Sequence, residues 1–441
     1  MKKVALSLII CQLSLSHAAA QQPWTLKQCC DYAVEHNIAV KQYANQERKS
    51  EVQLSNALNQ RLPDLNGSAN ENFSFGRGLT AENTYANKNT SSTSFSLGTS
   101  IPLFTGFRIP NTIALSRLNL QAATAELEKA KNDIRIQVAQ AYVQILYNME
   151  LSEVAQRQIA IDSAQVARLQ ALLDVGRASE AQLSQQKATL AQSRLTATQT
   201  RNNLQLSVLA LSQLLELPTP EGFEVARPIL PESTEAPSTL PQPDEIYAEA
   251  IAVKPEVRTQ QLRLQAAQKS IALARSGYMP TLSFSAGMGS NYYKTSGFTA
   301  DGFGKQLKNN FSQYLGFSLN IPIFDRFSTR NSIRSAKIDH ENQLLSLDLT
   351  KKTLYKEIQQ AYYNTVAARQ KLKSSEQARQ SATDAFRLVQ AKYENGRATI
   401  TEFNESKNAY LRTESDLTQA RYEYLYQQAL IRFYRGRELS F

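Results

Sequence analysis

The amino-acid sequence predicts a mainly α-helical protein with a smaller β part, built from an internally duplicated chain. Three observations support this prediction: motifs repeated at a fixed spacing, two very long helical patterns, and short segments of alternating apolar and polar residues. Self-similarity of this kind indicates the architecture before any single element is assigned. The repeated motifs are Gly176 and Gly396, Ile101-Pro102 and Ile321-Pro322, and Ala141-Tyr142 and Ala361-Tyr362 at a spacing of 220 (396 − 176), with Ala33 and Ala250, and Pro63 and Pro280, at 217 (250 − 33).

Composition excludes several classes of protein. Of the 441 residues, 20% are charged, and the mean hydropathy is −0.40, which excludes a bundle of membrane-spanning helices. The net charge is +10, but the basic residues are spread along the chain, so nucleic acid is not an expected partner. The sequence contains no nucleophile motif, metal-ligand spacing or phosphate-binding loop, so we expect neither an enzyme nor a cofactor. Cys29 and Cys30 are expected to pack in a helix interface.

The start of the chain, residues 1–20, has the pattern of a secretory signal peptide. Lys2-Lys3 precede an apolar run from Val4 to Leu15, and Ala18-Ala19-Ala20 supply the small residues of a cleavage site. The apolar run is too short for a membrane anchor and contains polar residues. We therefore expect the mature chain to begin at Gln21.

The first structural repeat is predicted over residues 21–217. A helix over about 24–60 ends before Pro63, because proline cannot continue it. Two β-strands follow at 65–76 and 93–104, where apolar residues alternate with small and hydroxyl residues as in membrane β-strands. A long helix then runs from about Pro110 to a tip at 174–178, where Gly176 stops one helix before the next begins.

The second structural repeat is predicted over residues 244–441, after a linker at 218–243 that holds seven of the fourteen prolines. It contains a helix to about Gly277, two β-strands at 281–291 and 311–324 with a polar loop between them, and a helical hairpin with its tip at 394–398. Each long helix would extend about 100 Å. Two apolar seams along the first long helix predict helical neighbours on both sides, as in a tube of helices.

Two strands per repeat give four strands per chain, which is too few to close a membrane barrel. Lipid does not tolerate an open sheet edge, so several copies must share one barrel. Three copies would supply twelve strands, within the range of known membrane barrels. The predicted fold is therefore a long α-helical coiled-coil barrel joined to a 12-stranded β-barrel shared by a trimer, which would form a conduit.

Short motifs also recur at the start of the chain, at the strand-to-helix corners and at the two tips. They are Trp24-Thr25-Leu26 with Cys30, Tyr32-Ala33 and Asn37; Pro63 and Pro280; Ile101-Pro102-Leu103-Phe104 and Ile321-Pro322-Ile323-Phe324; and Asp174-Val175-Gly176 and Glu394-Asn395-Gly396. In order, spacing and duplication, the mature chain resembles the TolC family of outer-membrane efflux channels.

This resemblance implies a homotrimer in the lipid of the bacterial outer membrane, with a large periplasmic portion. In that family the helical tips contact a periplasmic adaptor (membrane fusion) protein, which connects the channel to an inner-membrane pump. Carried over to this chain, the adaptor-docking tips are Asp174, Val175, Gly176 and Arg177 in the first repeat, and Glu394, Asn395, Gly396 and Arg397 in the second.

The resemblance further implies a periplasmic gate formed by Tyr393, Arg397, Glu402 and Glu405. Ala398 replaces an arginine of the family pattern, with Arg397 one position earlier, and Gln182 replaces a carboxylate in the first repeat. Glu402 and Glu405 share a helix face, so a trimer would bring six carboxylates together and favour cations. An ordinary solvated helix face is the alternative explanation.

Two other functions are compatible with parts of the pattern. The exit duct of a type I protein-secretion system has the same architecture, and the sequence does not separate drug, metal-ion and protein cargo. A secreted coiled-coil structural protein would explain the long helices but not the alternating segments, which should then lack outward apolar faces.

Overall fold

The computed structural model describes residues 23–79, 83–228 and 240–440, so the predicted signal peptide and part of the proline-rich linker lie outside it. The helices are α1 Leu26–His36, α2 Ile38–Asn59, α3 Arg108–Asp174, α4 Glu180–Leu214, α5 Pro243–Val253, α6 Pro255–Arg275, α7 Phe303–Asn309, α8 Ser328–Glu394 and α9 Ile400–Tyr434. The strands are β1 Asp64–Ser74, β2 Arg77–Leu79, β3 Tyr85–Asn87, β4 Thr90–Phe104, β5 Thr281–Thr295 and β6 Ser312–Asn320.

The two long helices, α3 and α8, contain 67 residues each, and each leads into a helix of 35 residues. At 1.5 Å per residue, a 67-residue helix extends about 100 Å. The two helical hairpins predicted from Gly176 and Gly396 are therefore present, with equal lengths in the two repeats. No helix within the described ranges is long and apolar enough to cross a membrane.

The first helix of each repeat is broken once, whereas the sequence predicts a continuous helix. Asn37 has extended backbone (ψ 132°) between α1 and α2, and Lys254 has extended backbone (ψ 123°) between α5 and α6. Asn37 Nδ2 donates to Leu214 O (3.0 Å), and its Oδ1 accepts from Ala39 N (2.9 Å). Each break has a residue that favours the start of the next helix. Asn37 is a good capping residue for α2, and Pro255 is tolerated in the first turn of α6.

The polar segments between strands are more ordered than the sequence predicts. The predicted loop at 291–310 instead contains the end of β5 and the short helix α7. Gln306 holds α7 on the strand, since its Nε2 donates to Tyr293 O (3.1 Å) and its Oε1 accepts from Tyr293 N (3.0 Å). Gln306 here bonds the backbone of Tyr293 as a neighbouring strand would. A single side chain in this role produces no periodic pattern of apolar residues in the sequence.

Contacts divide the chain into two compact units, and each unit uses segments of both repeats. One unit contains the described residues up to Asn45, Ala125–Arg258 and the chain from Leu349. Its core includes five fully buried side chains from four helices: Cys29, Ala33, Val138, Leu211 and Ala429. Cys29 and Cys30 are both buried and free, and burial raises the pKa of each thiol to about 12, so both thiols stay protonated at neutral pH. The division of the chain into two successive repeats remains a prediction from the sequence.

The other unit, Gln46–Thr124 and Thr259–Asp348, contains an antiparallel four-stranded sheet in the order β1-β4-β5-β6. The register aligns Gly67 with Leu97 and Leu97 with Met288, and it pairs Phe284 with Phe317, whose ring centroids are 5.1 Å apart. Among the described strands, β1 and β6 are each paired on one side only. The sheet of one chain is thus open at both edges.

The register also places most of the large apolar side chains of this sheet on one face. One face carries the apolar set Leu65, Phe73, Phe95, Leu97, Ile101, Phe284, Met288, Leu315, Phe317 and Leu319. The opposite face carries the polar set Asn66, Ser68, Asn70, Ser94, Ser96, Ser285, Asn291 and Ser318. Alternation with a period of two, apolar towards lipid and polar towards the lumen, is typical of strands in membrane β-barrels.

Candidate functional site

Each helical hairpin turns through a glycine with left-handed backbone, Gly176 at φ +70° and Gly396 at φ +71°. At the first tip, Gly176 N donates to Leu173 O (2.8 Å) and Arg177 N donates to Leu172 O (2.7 Å). The second tip repeats both bonds, with lengths of 3.1 and 2.8 Å. This Schellman arrangement satisfies two terminal carbonyls of the helix, and it requires a residue that tolerates positive φ.

Both tips restart with the same capping box. Ser179 Oγ accepts from Gln182 N (3.2 Å), and Gln182 Oε1 accepts from Ser179 N (3.0 Å). Thr399 and Glu402 form the corresponding bonds at 3.2 and 2.7 Å. Two backbone donors are satisfied at each helix start, so Glu402 has the same structural role at the second tip that Gln182 has at the first. The hydrogen bonds from Thr399 hold the pKa of Glu402 below its ordinary value.

Tyr393 is the one predicted gate residue that is buried, with 9% of its surface exposed. Its ring stacks on Phe403, with centroids 4.9 Å apart. Arg168 contacts the same ring, with Cζ 4.9 Å from its centroid, and donates to Glu394 O (3.0 Å). A cation at the carbonyl end of α8 is favoured by the helix dipole. Arg168, which was not among the residues predicted from the sequence, therefore connects α3 to the second tip.

The other predicted gate residues, Arg397, Glu402 and Glu405, are exposed. Among the side-chain contacts of the described residues, none joins Arg397 to either glutamate, and Glu405 makes no hydrogen bond or ion pair. Within one chain, the structure therefore brings Tyr393 together with Phe403 and Arg168, but it does not assemble the four predicted residues.

The residues of both tips are exposed and present similar chemistry. Asp174 Oδ1 accepts from Gln170 Nε2, and Glu394 Oε1 accepts from Gln390 Nε2, each at 3.0 Å. Both carboxylates are thus held by a glutamine four residues earlier on the same helix face. Each tip presents an acid, the glycine turn and then an arginine, and Val175 adds an exposed apolar side chain to the first tip.

A buried polar network lies about 20 Å along α3 from Gly176. Asp162 and Lys407 form an ion pair whose side chains are both 0% exposed. Asp162 also accepts from Ser193 Oγ (2.5 Å) and from Gln186 Nε2 (3.3 Å), so the network joins α3, α4 and α9. This network was not predicted from the sequence. Its signal is that Lys407 lies four residues from both Phe403 and Leu411, inside a buried stripe of α9.

Comparison with known proteins places these features in a family. The profile described as "Outer membrane efflux protein" matches residues 31–216 and 246–437. The two matched segments lie on either side of the proline-rich linker and together cover most of the chain. They include both tips and all four strands of the sheet.

Individual relatives have low sequence identity to this chain, but the alignments cover most of it. "Pyoverdine export outer membrane protein OpmQ" of Pseudomonas putida is 23% identical over 321 residues, which are 72% of this chain and 64% of that protein. "Outer membrane efflux protein BepC" of Brucella suis is 21% identical over 322 residues, 73% of this chain and 67% of that protein. This chain thus aligns with just under two thirds of OpmQ.

Solved structures share the fold along nearly the whole chain. The crystal structure of the outer membrane protein VceC from Vibrio cholerae has a TM-score of 0.75 with 16% identity, covering 94% of this chain and 97% of that chain. Such a likeness confirms the predicted fold class, a long helical barrel with a smaller β part.

Proposed function

This chain belongs to the outer membrane efflux protein family, and from this premise we propose that three copies form an outer-membrane exit duct in a tripartite efflux system. The duct passes small molecules outward from an inner-membrane pump through a periplasmic adaptor protein. The observation that carries the proposal is the family match along both repeats. The family is one of channels and not of enzymes.

The open sheet supports assembly from several copies. One chain supplies four long strands with an apolar face and two unpaired edges among the described strands. Lipid does not tolerate such edges, and three copies would close a barrel of twelve strands. The same apolar face argues against a secreted coiled-coil structural protein.

The relatives favour small-molecule efflux over protein secretion. OpmQ is named for the export of pyoverdine, and BepC is named as an efflux protein. For this chain, the tips Asp174–Arg177 and Glu394–Arg397 dock the adaptor. Support for this docking role comes from their exposure and from the repeated acid, glycine and arginine pattern.

The gate of this duct is formed by Tyr393, Arg397, Glu402 and Glu405. The support for this assignment is that Glu402 and Glu405 are exposed near the second tip, where three copies would bring six carboxylates together. Closely spaced carboxylates attract cations and raise each other's pKa. Tyr393 acts differently from the other three, because it is held inside its own chain by Phe403 and Arg168.

Single-channel conductance of the purified protein in planar bilayers, with reversal potentials under a salt gradient, tests this function. We expect small cation-selective openings, with reduced selectivity in a variant that combines Glu402→Gln and Glu405→Gln. Gln at position 402 preserves the capping box, as Gln182 does at the first tip. The control is Glu376→Gln, an exposed glutamate farther along α8, which should leave selectivity unchanged. Folded protein without any channel activity would contradict the proposal.

A further inference from the structure

The duplication allows one buried position to be compared in its two copies. Asn37 and Lys254 are related by the spacing of 217 (254 − 37), and each separates two helices while more than nine-tenths buried, with exposures of 7% and 6%. The Asn37 amide is satisfied, since Nδ2 donates to Leu214 O and Oδ1 accepts from Ala39 N. The same corner of the second repeat carries a cation in place of this amide.

The ammonium group of Lys254 lacks a hydrogen-bond acceptor and an ion-pair partner within the described ranges. It lies 3.8 Å from the ring centroid of Phe433 and 5.0 Å from that of Tyr434. These cation–π contacts stabilise one side of the ammonium group. The rings supply no oxygen or nitrogen acceptor for its N–H donors, and Lys254 lines a cavity.

A second pair of equivalent positions differs at the same corner. Glu216 and Gly436 are 220 residues apart (436 − 216), and both have positive φ, +56° and +80°. In the first repeat, Glu216 Oε1 accepts from Ile38 N at 3.3 Å and so places a carboxylate beside the helix break. In the second repeat, Gly436 has no side chain to do so. The corner with the buried cation therefore lacks the carboxylate of its counterpart.

A cavity of about 300 Å³ lies at this corner and is lined by both Lys254 and Gly436. Its other charged lining residues are the cations Lys27, Arg135 and Arg437 and the acids Asp31 and Glu438. Four cations and two acids give a lining charge of +2. The volume is at the lower end of the range for small-molecule sites.

We propose that this cavity binds a small carboxylate, whose anionic group lies beside Lys254 in the position that Glu216 occupies in the first repeat. A charge-assisted hydrogen bond to a desolvated ammonium group is among the stronger interactions in proteins. The other acids near Lys254 are Asp133, Glu256 and Glu357, which do not line the cavity. Burial lowers the pKa of Lys254 to about 8, which is consistent with an ammonium group that lacks a close anion.

The first test measures succinate binding to the purified full-length protein by isothermal titration calorimetry. We expect one site per chain, with affinity at least tenfold lower in Lys254→Met, because the cation is then absent. Lys371→Met is the matched control, since Lys371 is an exposed lysine paired with Glu423, and it should bind as the wild type does. Affinity should fall about tenfold per pH unit above the lysine pKa, as the ammonium group deprotonates. Inorganic phosphate at equal ionic strength should bind at least tenfold more weakly, and equal binding would overturn the assignment to carboxylates.

The second test needs no ligand. Gly436→Glu restores the carboxylate of the first repeat, and Gly436→Gln fills the same volume without charge. We expect a higher thermal midpoint for Gly436→Glu than for Gly436→Gln, and the difference should vanish when Lys254→Met is added. Succinate should no longer raise the midpoint of Gly436→Glu. Equal midpoints for the two position-436 variants would overturn the proposal, whether or not Lys254→Met folds.

Discussion

Neutralising either Asp162 or Lys407 alone should destabilise this protein far more than replacing both partners of this buried ion pair. Both side chains are 0% exposed, so neither charge can be compensated by water after its partner is removed. Removal of one partner of a buried ion pair costs about 3–5 kcal/mol, whereas neutral replacement of both is often tolerated. Comparing the single and double variants therefore distinguishes the cost of leaving one charge buried without its partner from the loss of one contact.

The structure ranks the variants. Asp162→Asn leaves the Lys407 ammonium group buried without a carboxylate, so we expect a cost near the upper limit, about 4–5 kcal/mol. Lys407→Met leaves Asp162 with the Ser193 and Gln186 donors at 2.5 and 3.3 Å, so a cost near 3 kcal/mol is expected. The double variant, Asp162→Asn with Lys407→Met, buries no charge. Its amide oxygen can accept from Gln186 Nε2 and its amide nitrogen can donate to Ser193 Oγ, so its cost should be about 1 kcal/mol.

Urea denaturation in detergent, followed by far-ultraviolet circular dichroism, measures these changes if the slope with denaturant is common to all variants. The matched control is the exposed pair Lys371–Glu423, which joins α8 and α9 with exposures of 43% and 42%. Lys371→Met and Glu423→Gln should each cost less than about 1 kcal/mol. A double variant whose cost equals the sum of the two single costs would contradict the expected coupling of Asp162 and Lys407, because independent effects add.

Further predictions concern the tips and the Lys254 corner. Gly396→Ala should lower the free energy of unfolding by about 1–2 kcal/mol, because alanine is strained at φ +71°. No described atom lies within contact of the new Cβ, so no steric clash adds to this cost. Gly396→Asn should be less destabilising than Gly396→Ala in urea denaturation, because asparagine tolerates positive φ better. Thr399→Ala should cost about 1 kcal/mol through the lost cap, whereas Glu402→Gln should cost less, because it keeps the cap and loses only the charge. Because hydrogen bonding lowers the pKa of Glu402, the contribution of its charge should be lost only as the pH falls through that lowered pKa, which acid titration of stability would detect. Arg168→Ala should speed amide hydrogen exchange at the second tip but not at the first, since the Arg168 contact is with Glu394 O and the Tyr393 ring. Lys254→Met should stabilise the protein by about 3 kcal/mol at pH 7, because burial lowers the lysine pKa from 10.5 to about 8. This stabilisation should decrease as the pH rises from about 8 to 10.5, because the lysine of the wild type then becomes neutral in both the folded and the unfolded state. A variant that is still more stable by the same amount at pH 11 would contradict this prediction.

The sequence predicted local structure best where the backbone conformation requires a particular residue type. Glycine predicted both tips, because a left-handed turn needs a residue that tolerates positive φ. The breaks at Asn37 and Lys254 were missed, since the surrounding apolar spacing continues through them and only a distant partner such as Leu214 stabilises the new start. The short helix α7 was missed because Gln306 holds it on a strand by side-chain hydrogen bonds.

The candidate site divides in the same way. The exposure of the tips and of Glu405 follows from a polar helix end and could be expected from the sequence. The burial of Tyr393 depends on Phe403 and Arg168, the latter from the other repeat. Asp162 and Lys407 lie 245 residues apart, and neither residue alone indicates the other. Sequence periodicity identifies the face of an element but not its partner on another element.

The sequence by itself determined the duplication, the two long helices, the alternating strands and the family resemblance, because these depend on local residue types at fixed spacings. The tertiary structure alone decided what each buried polar group contacts: Asp162 contacts Lys407, Asn37 contacts a distant carbonyl, and Lys254 contacts two aromatic rings. The physical reason is that burial and hydrogen bonding are properties of the packed environment. Two repeats of one sequence pattern can therefore share a fold and still differ in the chemistry of the same corner.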